Sequence, residues 1–168
     1  NAIGGVRKDI DDDLAFTYKQ AMKVLREKVK ILEPHFKTSE KLRKLTEGVG
    51  ILPKDGAASL GAVGPVARAS GLKSDARSLG YAAYGKVDFE PVVYYGEDCF
   101  DRVRVRYDEV LQSIDIIEQA LREMPEGPII EKAEQFPDGV VVVRTEQPRG
   151  EVFYYVEGNG TDKLSRCR

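Results

Sequence analysis

Seven apolar residues, Val103, Tyr107, Val110, Ile114, Ile117, Leu121 and Met124, recur at alternating steps of four and three. That period is the helical one, so Asp98 to Met124 is expected to form one long helix with a continuous apolar face. Pro125-Glu126-Gly127-Pro128 stops it. A rod of this length cannot bury its own face, so the rest of the chain has to be arranged around it. Arg102, Arg104, Arg106, Asp108 and Glu109 occupy the remaining positions. Because acids interleave with the arginines, this side reads as a solvated or subunit-facing surface rather than a nucleic-acid patch.

The elements that could cover the helix are legible on both sides. Asp11, Asp12 and Asp13 suit a helix start, where carboxylates meet the positive end of the dipole. Leu14, Tyr18, Ala21, Leu25, Val29 and Leu32 follow at helical spacing to an expected break at Pro34, and read as core packing. Thr38-Ser39-Glu40-Lys41 opens a shorter helix that runs out by Thr46. From Glu47 to Gly85 glycine, alanine and serine dominate, with short helical pieces expected after Pro53 and Pro65. Small residues of this kind let backbones approach closely.

Asp88 to Tyr95 (DFEPVVYY) reads as an extended strand, with Pro91 arguing for an edge. Pro137-Asp138-Gly139 signals a turn before a buried strand from Val140 to Arg144. A second strand runs from Glu151 to Val156, and Asn159-Gly160 predicts a tight type I′ hairpin into a third, Lys163 to Arg168. The expected fold class is α+β: long amphipathic helices with a small antiparallel sheet at the C-terminal end.

At 168 residues the simplest organisation is one domain. A net charge of -2 supplies no basic footprint, which argues against direct nucleic-acid binding. No apolar run approaches the roughly 20 residues of a membrane-spanning helix. Cys99 and Cys167 are far apart and form no C-x-x-C, and the single histidine, His35, sits at an expected helix end. No complete metal site is readable, and His35 is expected to be structural. Residues 64–74, GPVARASGLKS, only superficially suggest a phosphate loop. Six residues separate the glycines, and Leu72 intervenes between Gly71 and Lys73, so nucleotide binding there is rejected. Asp75/Arg77 and Asp138/Glu146 could be offered as acid–base couples, but spacing alone supports them weakly. Pro148-Arg149-Gly150 places a guanidinium between a stiff residue and a permissive one at a hairpin tip; unaided, this is a loop with an exposed arginine.

Four stretches in order change that reading. IGGVRKD (3–9), TEGVGILPKDGAASLGAVGPVARASGLKSDAR (46–77), GEDCFDRVRVRYDEVLQSIDIIEQAL (96–121) and EQPRGEVFYYVEGNGTDKLSRCR (146–168) resemble the large catalytic subunit of membrane-bound nickel–iron hydrogenases. They are similar also to the homologous 49-kDa quinone-site subunit of respiratory complex I. The specific element is R-A-S-G-x-x-x-D-x-R (68–77) combined with the later P-R-G-E (148–151).

The resemblance implies that Arg149, stiffened by Pro148, lies over a nickel–iron centre as a group that holds ligands on iron without binding the metals itself. A guanidinium, always charged and rigidly forked, suits that task. It implies further that Arg68, Asp75 and Arg77 fix the interface with a small subunit that bears an iron–sulfur cluster, or the point where electrons arrive. The competing reading of these three is an internal salt bridge holding a glycine-rich loop. Family ligands are two cysteine pairs near the ends of the full chain; Cys99 and Cys167 do not match them, and neither is assigned as a ligand. Residues 3–168 are therefore expected to be the internal body of a longer subunit, with Asn1-Ala2 a cloning remnant, binding no nickel and inactive alone.

The intact P-R-G, IGGVRKD and the short segment from Glu126 to Pro148 lean toward the hydrogenase branch. In the complex I branch the same scaffold would surround a quinone cavity, and a third possibility is a non-catalytic assembly module. Implied partners are the iron–sulfur small subunit and membrane-embedded subunits, with the chain peripheral on the cytoplasmic face of the membrane. Family members that use NADH bind it on other subunits.

Overall fold

The computed structural model describes residues 5–131 and 134–168. Asn1-Ala2, expected to be a cloning remnant, and the start of the IGGVRKD stretch lie outside them. The elements are α1 (Asp12–Lys37), α2 (Glu40–Thr46), α3 (Lys54–Ser59), α4 (Gly64–Ala69), a 3-10 turn (Ala76–Leu79), α5 (Cys99–Arg122), β1 (Asp138–Gln147), β2 (Gly150–Asn159) and β3 (Leu164–Cys167). The strands form one antiparallel sheet in the order β1-β2-β3. The fold is α+β, as expected.

The long helix forms where its period places it. Asp98 caps it by accepting from the Asp101 amide, and Asp98 Oδ2 also accepts from the Gly48 amide at 2.8 Å, tying the helix start to the glycine-rich segment. Burial is displaced from the predicted stripe, however. Val105 and Ile114 are enclosed together with Phe100 and Tyr107, while Val110, Ile117 and Met124 remain exposed. The N-terminal half of α5 is surrounded because α4 packs on it. Ala67, Ala69 and Ala57 are fully buried, so the small residues do allow the close approach expected of them.

The charged side of α5 is not simply a surface. Arg102 donates to the Gly50 carbonyl, and Arg104 pairs with Asp101 at 2.9 Å and lies 3.9 Å over the Tyr94 ring. Asp108 meets Lys37 at 2.8 Å and accepts from the Tyr94 hydroxyl. These charges join the helix to its own neighbours.

Helix α1 corrects two expectations. It runs through Pro34 to Lys37, with the Thr38 amide and hydroxyl both bonding the Pro34 carbonyl. A proline so near the end forfeits only one ladder bond, and the capped last turn absorbs it. The expected core stripe is also largely open: Tyr18, Leu25 and Leu32 are exposed. Besides the Phe36 and Tyr107 rings, 5.6 Å apart, the seam with α5 is held by polar contacts. Arg26 bonds Asp115 at 2.7 Å and Glu118 at 2.9 Å, and the Tyr107 hydroxyl donates to the Val29 carbonyl at 3.1 Å.

Residues 88–95 join no sheet ladder. Their backbone is satisfied by glutamines one heptad apart on α5: Gln119 brackets Asp88, accepting from its amide at 2.7 Å and donating to its carbonyl at 2.8 Å, and Gln112 donates to the Glu90 carbonyl. The Tyr94 amide donates to the Arg68 carbonyl. Side-chain amides thus replace the strand partner that β-branched composition alone suggested. Replacing Gln119 with alanine is expected to cost about 1 kcal/mol and to accelerate amide hydrogen exchange at Asp88; unchanged exchange there would show that the bracket does not hold the segment.

The sheet departs from expectation in burial, not in topology. Val140, Val141, Val142 and Val143 are 40–57% exposed, so β1 is not the buried strand expected from its composition. Asp138 and Gly139 are drawn into β1 rather than forming a turn, pairing with Asn159 and Gly158. The connection after Asn159 spans residues 160–163, with Asn159 Oδ1 accepting from Thr161, in place of the two-residue hairpin. The β1–β2 turn is tighter than the expected strand ends imply: both strands extend toward the tip, Gln147 pairs with Gly150, and Pro148 and Arg149 are left as its two tip residues.

Candidate functional site

The motif residues 68–77 fold into a compact unit in which each has a physical task. Ser70 donates from its hydroxyl to the Leu52 carbonyl at 2.7 Å. Gly71 has φ 77°, and an added Cβ would lie 2.9 Å from the Tyr95 ring. Asp75 caps the 3-10 turn by accepting from the Arg77 amide. The same carboxylate takes the Arg77 fork, Nε to Oδ1 at 2.9 Å and Nη2 to Oδ2 at 2.6 Å, a bidentate geometry only a guanidinium provides.

Arg68 is the hub. Its side chain is 1% exposed, and it donates from Nε to Glu109 at 2.6 Å and from Nη1 to Glu146 at 2.9 Å and to the Ser74 carbonyl at 2.8 Å. Asp75 lies 3.4 Å from Nη1. Glu146 Oε2 then accepts from the Ala76 amide at 3.0 Å, and the Glu146 amide donates to the Tyr81 hydroxyl at 2.9 Å. Through Glu146, the base of the β1–β2 hairpin is locked to α4, α5 and the 68–77 unit. Arg77 also rests over the Phe89 ring at 4.9 Å.

Burial alone would push the Asp75 carboxyl up, but the hydrogen bonds and charge of Arg77, helped by Arg68, outweigh it and hold the carboxyl below the usual range. Glu109 goes the other way, since burial raises its carboxyl more than Arg68 and Arg77 lower it.

A second contact positions the hairpin tip. Gly64 (φ 65°) and Gly150 (φ 129°) meet so closely that a Cβ on Gly64 would fall 2.3 Å from the Gly150 Cα. Arg149 projects from this seat exposed to solvent, and makes no hydrogen bond or ion pair among the described residues. The structure therefore gathers Arg68, Asp75 and Arg77 into one internal network and sets Pro148 and Arg149 at the tip of the hairpin that this network anchors. Pro148 lines, with Arg68, Arg77, Tyr84, Glu109 and Glu146, a cavity of about 530 Å³.

Glu109 and Glu146 complete the network, and sequence reasoning assigns neither of them this part. Glu109 lies four residues after the fully buried Val105, on the same side of α5, and that spacing is the available signal. Spacing couples Glu146 only with Asp138, which sits eight residues away along the same strand. Among the described residues no group of three or more His, Cys, Asp or Glu side chains is arranged to hold a metal ion. Cys99 is half-buried at the start of α5 beside Arg102, and Cys167 is exposed on β3. These residues do not fit a nickel–iron ligand set.

By comparison with known proteins, the chain is similar to a class of oxidoreductase subunits. The family described as respiratory-chain NADH dehydrogenase, 49 Kd subunit, matches residues 1–136. The chain belongs to that family. It is 40% identical to the C/D-type NADH-quinone oxidoreductase subunit of Phocaeicola vulgatus, over 95% of this chain and 32% of the relative. It is 37% identical to the carbon monoxide-induced hydrogenase of Rhodospirillum rubrum, over 99% of this chain and 47% of the relative. Among solved structures, a chain of the membrane-bound sulfane sulfur reductase, an archaeal respiratory membrane complex, superposes with a TM-score of 0.91 at 31% identity, covering 98% of this chain and 47% of that one. The chain thus spans between about a third and a half of the length of these relatives. Among the described residues no helix is long and apolar enough to cross a membrane.

Proposed function

We propose that this chain is the internal body of the large subunit of a membrane-associated, hydrogenase-type oxidoreductase complex, in which Arg149 faces the chamber where the reaction occurs. The carrying observation is the fixed hairpin tip: Glu146 and the Gly64–Gly150 contact hold its base, while the Arg149 guanidinium has no partner among the described residues. A rigidly placed, permanently charged donor fork beside a cavity can orient a ligand and stabilise developing negative charge. Iron–sulfur clusters on a small subunit would deliver electrons, with the 68–77 unit near that interface, and membrane-embedded subunits would anchor the assembly at the inner face of the membrane. A nickel–iron centre would draw its ligands from outside the described residues and supply hydrogen chemistry. The similarity to the carbon monoxide-induced hydrogenase over 99% of the chain, together with the intact Pro148-Arg149-Gly150, supports this branch.

The quinone branch is supported by the matching family and by relatives with NADH-quinone oxidoreductase names. There the same tip would border a quinone cavity, and Arg149 would meet a carbonyl oxygen. Arg149→Lys in the full-length subunit, within its complex, is expected to leave assembly intact and lower turnover about 10- to 100-fold. Unchanged turnover removes Arg149 from the mechanism. Hydrogen turnover as the lost activity supports the first branch, and protection of the complex by a quinone analogue supports the second.

A further inference from the structure

Two guanidiniums and three carboxylates share the buried network: Arg68 and Arg77 against Asp75, Glu109 and Glu146. With all five ionised, one negative charge is left uncompensated, and an unpaired buried charge is costly. One bound proton restores neutrality. Hydrogen bonding indicates which carboxyl takes it. Asp75 has both oxygens held by Arg77. Glu146 has Oε1 held by Arg68 and Oε2 by the Ala76 amide. Glu109 is held through Oε1 alone, and its Oε2 accepts no hydrogen bond among the described residues. The Glu109 side chain is 14% exposed, against 0% for Asp75 and 5% for Glu146, and it lines the 530 Å³ cavity that also reaches Pro148.

The surroundings of Glu109 support the same choice. Arg68 faces it from α4, Arg77 from the 3-10 turn, Tyr84 from the following loop and Glu146 from β1, with the charge of Asp75, the cap of the 3-10 turn, acting on it as well. Helix α1 contributes only Met22 and Leu25 to the cavity, neither of them charged. Arg106 stands at the cavity wall on α5 itself, but it is exposed and donates to the Arg102 carbonyl of its own helix. It therefore does not cancel the excess charge. Burial pushes the Glu109 carboxyl up despite the two arginines, in keeping with the geometry.

We propose that Glu109 is a proton-holding site, exchanging one proton through the cavity that opens beside the hairpin tip. On release the proton passes from Oε2 to solvent in the cavity, leaving a carboxylate paired with Arg68; on uptake the same path is reversed, and no electron moves. Use of this proton in turnover rests on the function proposed above, whereas proton holding does not.

The test is a titration of glutamate carboxyl carbons by NMR in the isotopically labelled chain, with Glu109→Gln to assign the site. One carboxyl is expected to titrate clearly above the ordinary glutamate value of about 4.3 and to vanish in Glu109→Gln. A carboxyl with a raised folded-state pKa contributes stability below the ordinary value and loses it as pH rises through the raised one. The wild-type Tm should therefore fall relative to Glu109→Gln, a fixed neutral analogue, across that window. If Glu109→Gln does not fold, Glu109→Asp, which keeps a titratable group at the site, supplies the assignment by removing that one glutamate resonance. Glutamate carboxyls that all titrate at or below the ordinary value overturn the proposal. Within the assembled complex, Glu109→Gln should alter the pH profile of turnover; an unchanged profile overturns the catalytic use of the proton, independently of the Arg149 test.

Discussion

Asp75→Asn is expected to destabilise the chain by about 3–5 kcal/mol, enough to abolish folding in a protein of ordinary marginal stability. Among the described residues Asp75 is the only carboxylate on the Arg77 fork, its side chain is fully buried, and it lies within 3.4 Å of Arg68 as well. Asparagine keeps the shape and can still cap the 3-10 turn, but it removes the one carboxylate that holds both branches of the Arg77 fork among the described residues and presents an N–H₂ group to a donor. Chemical denaturation of the variant against wild type checks this. A loss comparable to that of Glu47→Gln, which breaks the exposed Arg43–Glu47 pair, would mean that the network contributes no more than a surface ion pair. Acid should reproduce the effect in part. Because the folded-state pKa of Asp75 is depressed, its contribution is present above the ordinary aspartate value and is lost as pH falls below that value through the depressed one.

Gly64→Ala should be almost as damaging, at about 2–4 kcal/mol, and its consequence is more local. The added methyl would sit 2.3 Å from the Gly150 Cα and 2.7 Å from its nitrogen, against backbone that cannot rotate away, and φ 65° already disfavours any side chain. The hairpin base would have to lift from α4, displacing Pro148 and Arg149. Amide exchange should accelerate at Gly150 and along the β1–β2 ladder, with smaller change in the middle of α5. Uniform acceleration throughout would indicate general unfolding rather than release of the tip. In the full-length subunit the variant should resemble Arg149→Lys in lost turnover while retaining the Arg149 side chain.

How much of the fold is legible in the sequence depends on how local the determinants are. The α5 helix, the α2 start at Ser39, the short helices after Pro53 and Pro65, and the Pro148-Arg149 tip follow from caps, periodicity and turn chemistry within a few residues. The stop at Pro34 fails because one lost ladder bond does not end a helix whose last turn Thr38 caps, and the strand at 88–95 fails because Gln112 and Gln119 supply the partners a sheet would. The buried reading of β1 fails for a different reason. Four consecutive valines favour extended backbone wherever they stand, and do not say whether anything covers them.

The candidate site divides along the same line. The sequence, through its resemblance to a known family, grouped Arg68, Asp75 and Arg77 in one motif, with an internal salt bridge as one of two readings, and it put an arginine at a hairpin tip. Only the tertiary structure decided that these features are connected. Glu109 lies 41 residues from Arg68 along the chain and Glu146 lies 78 away. Charge neutrality in a closed interior is a property of all the groups packed there, so no local stretch could show that the network holds one carboxyl too many.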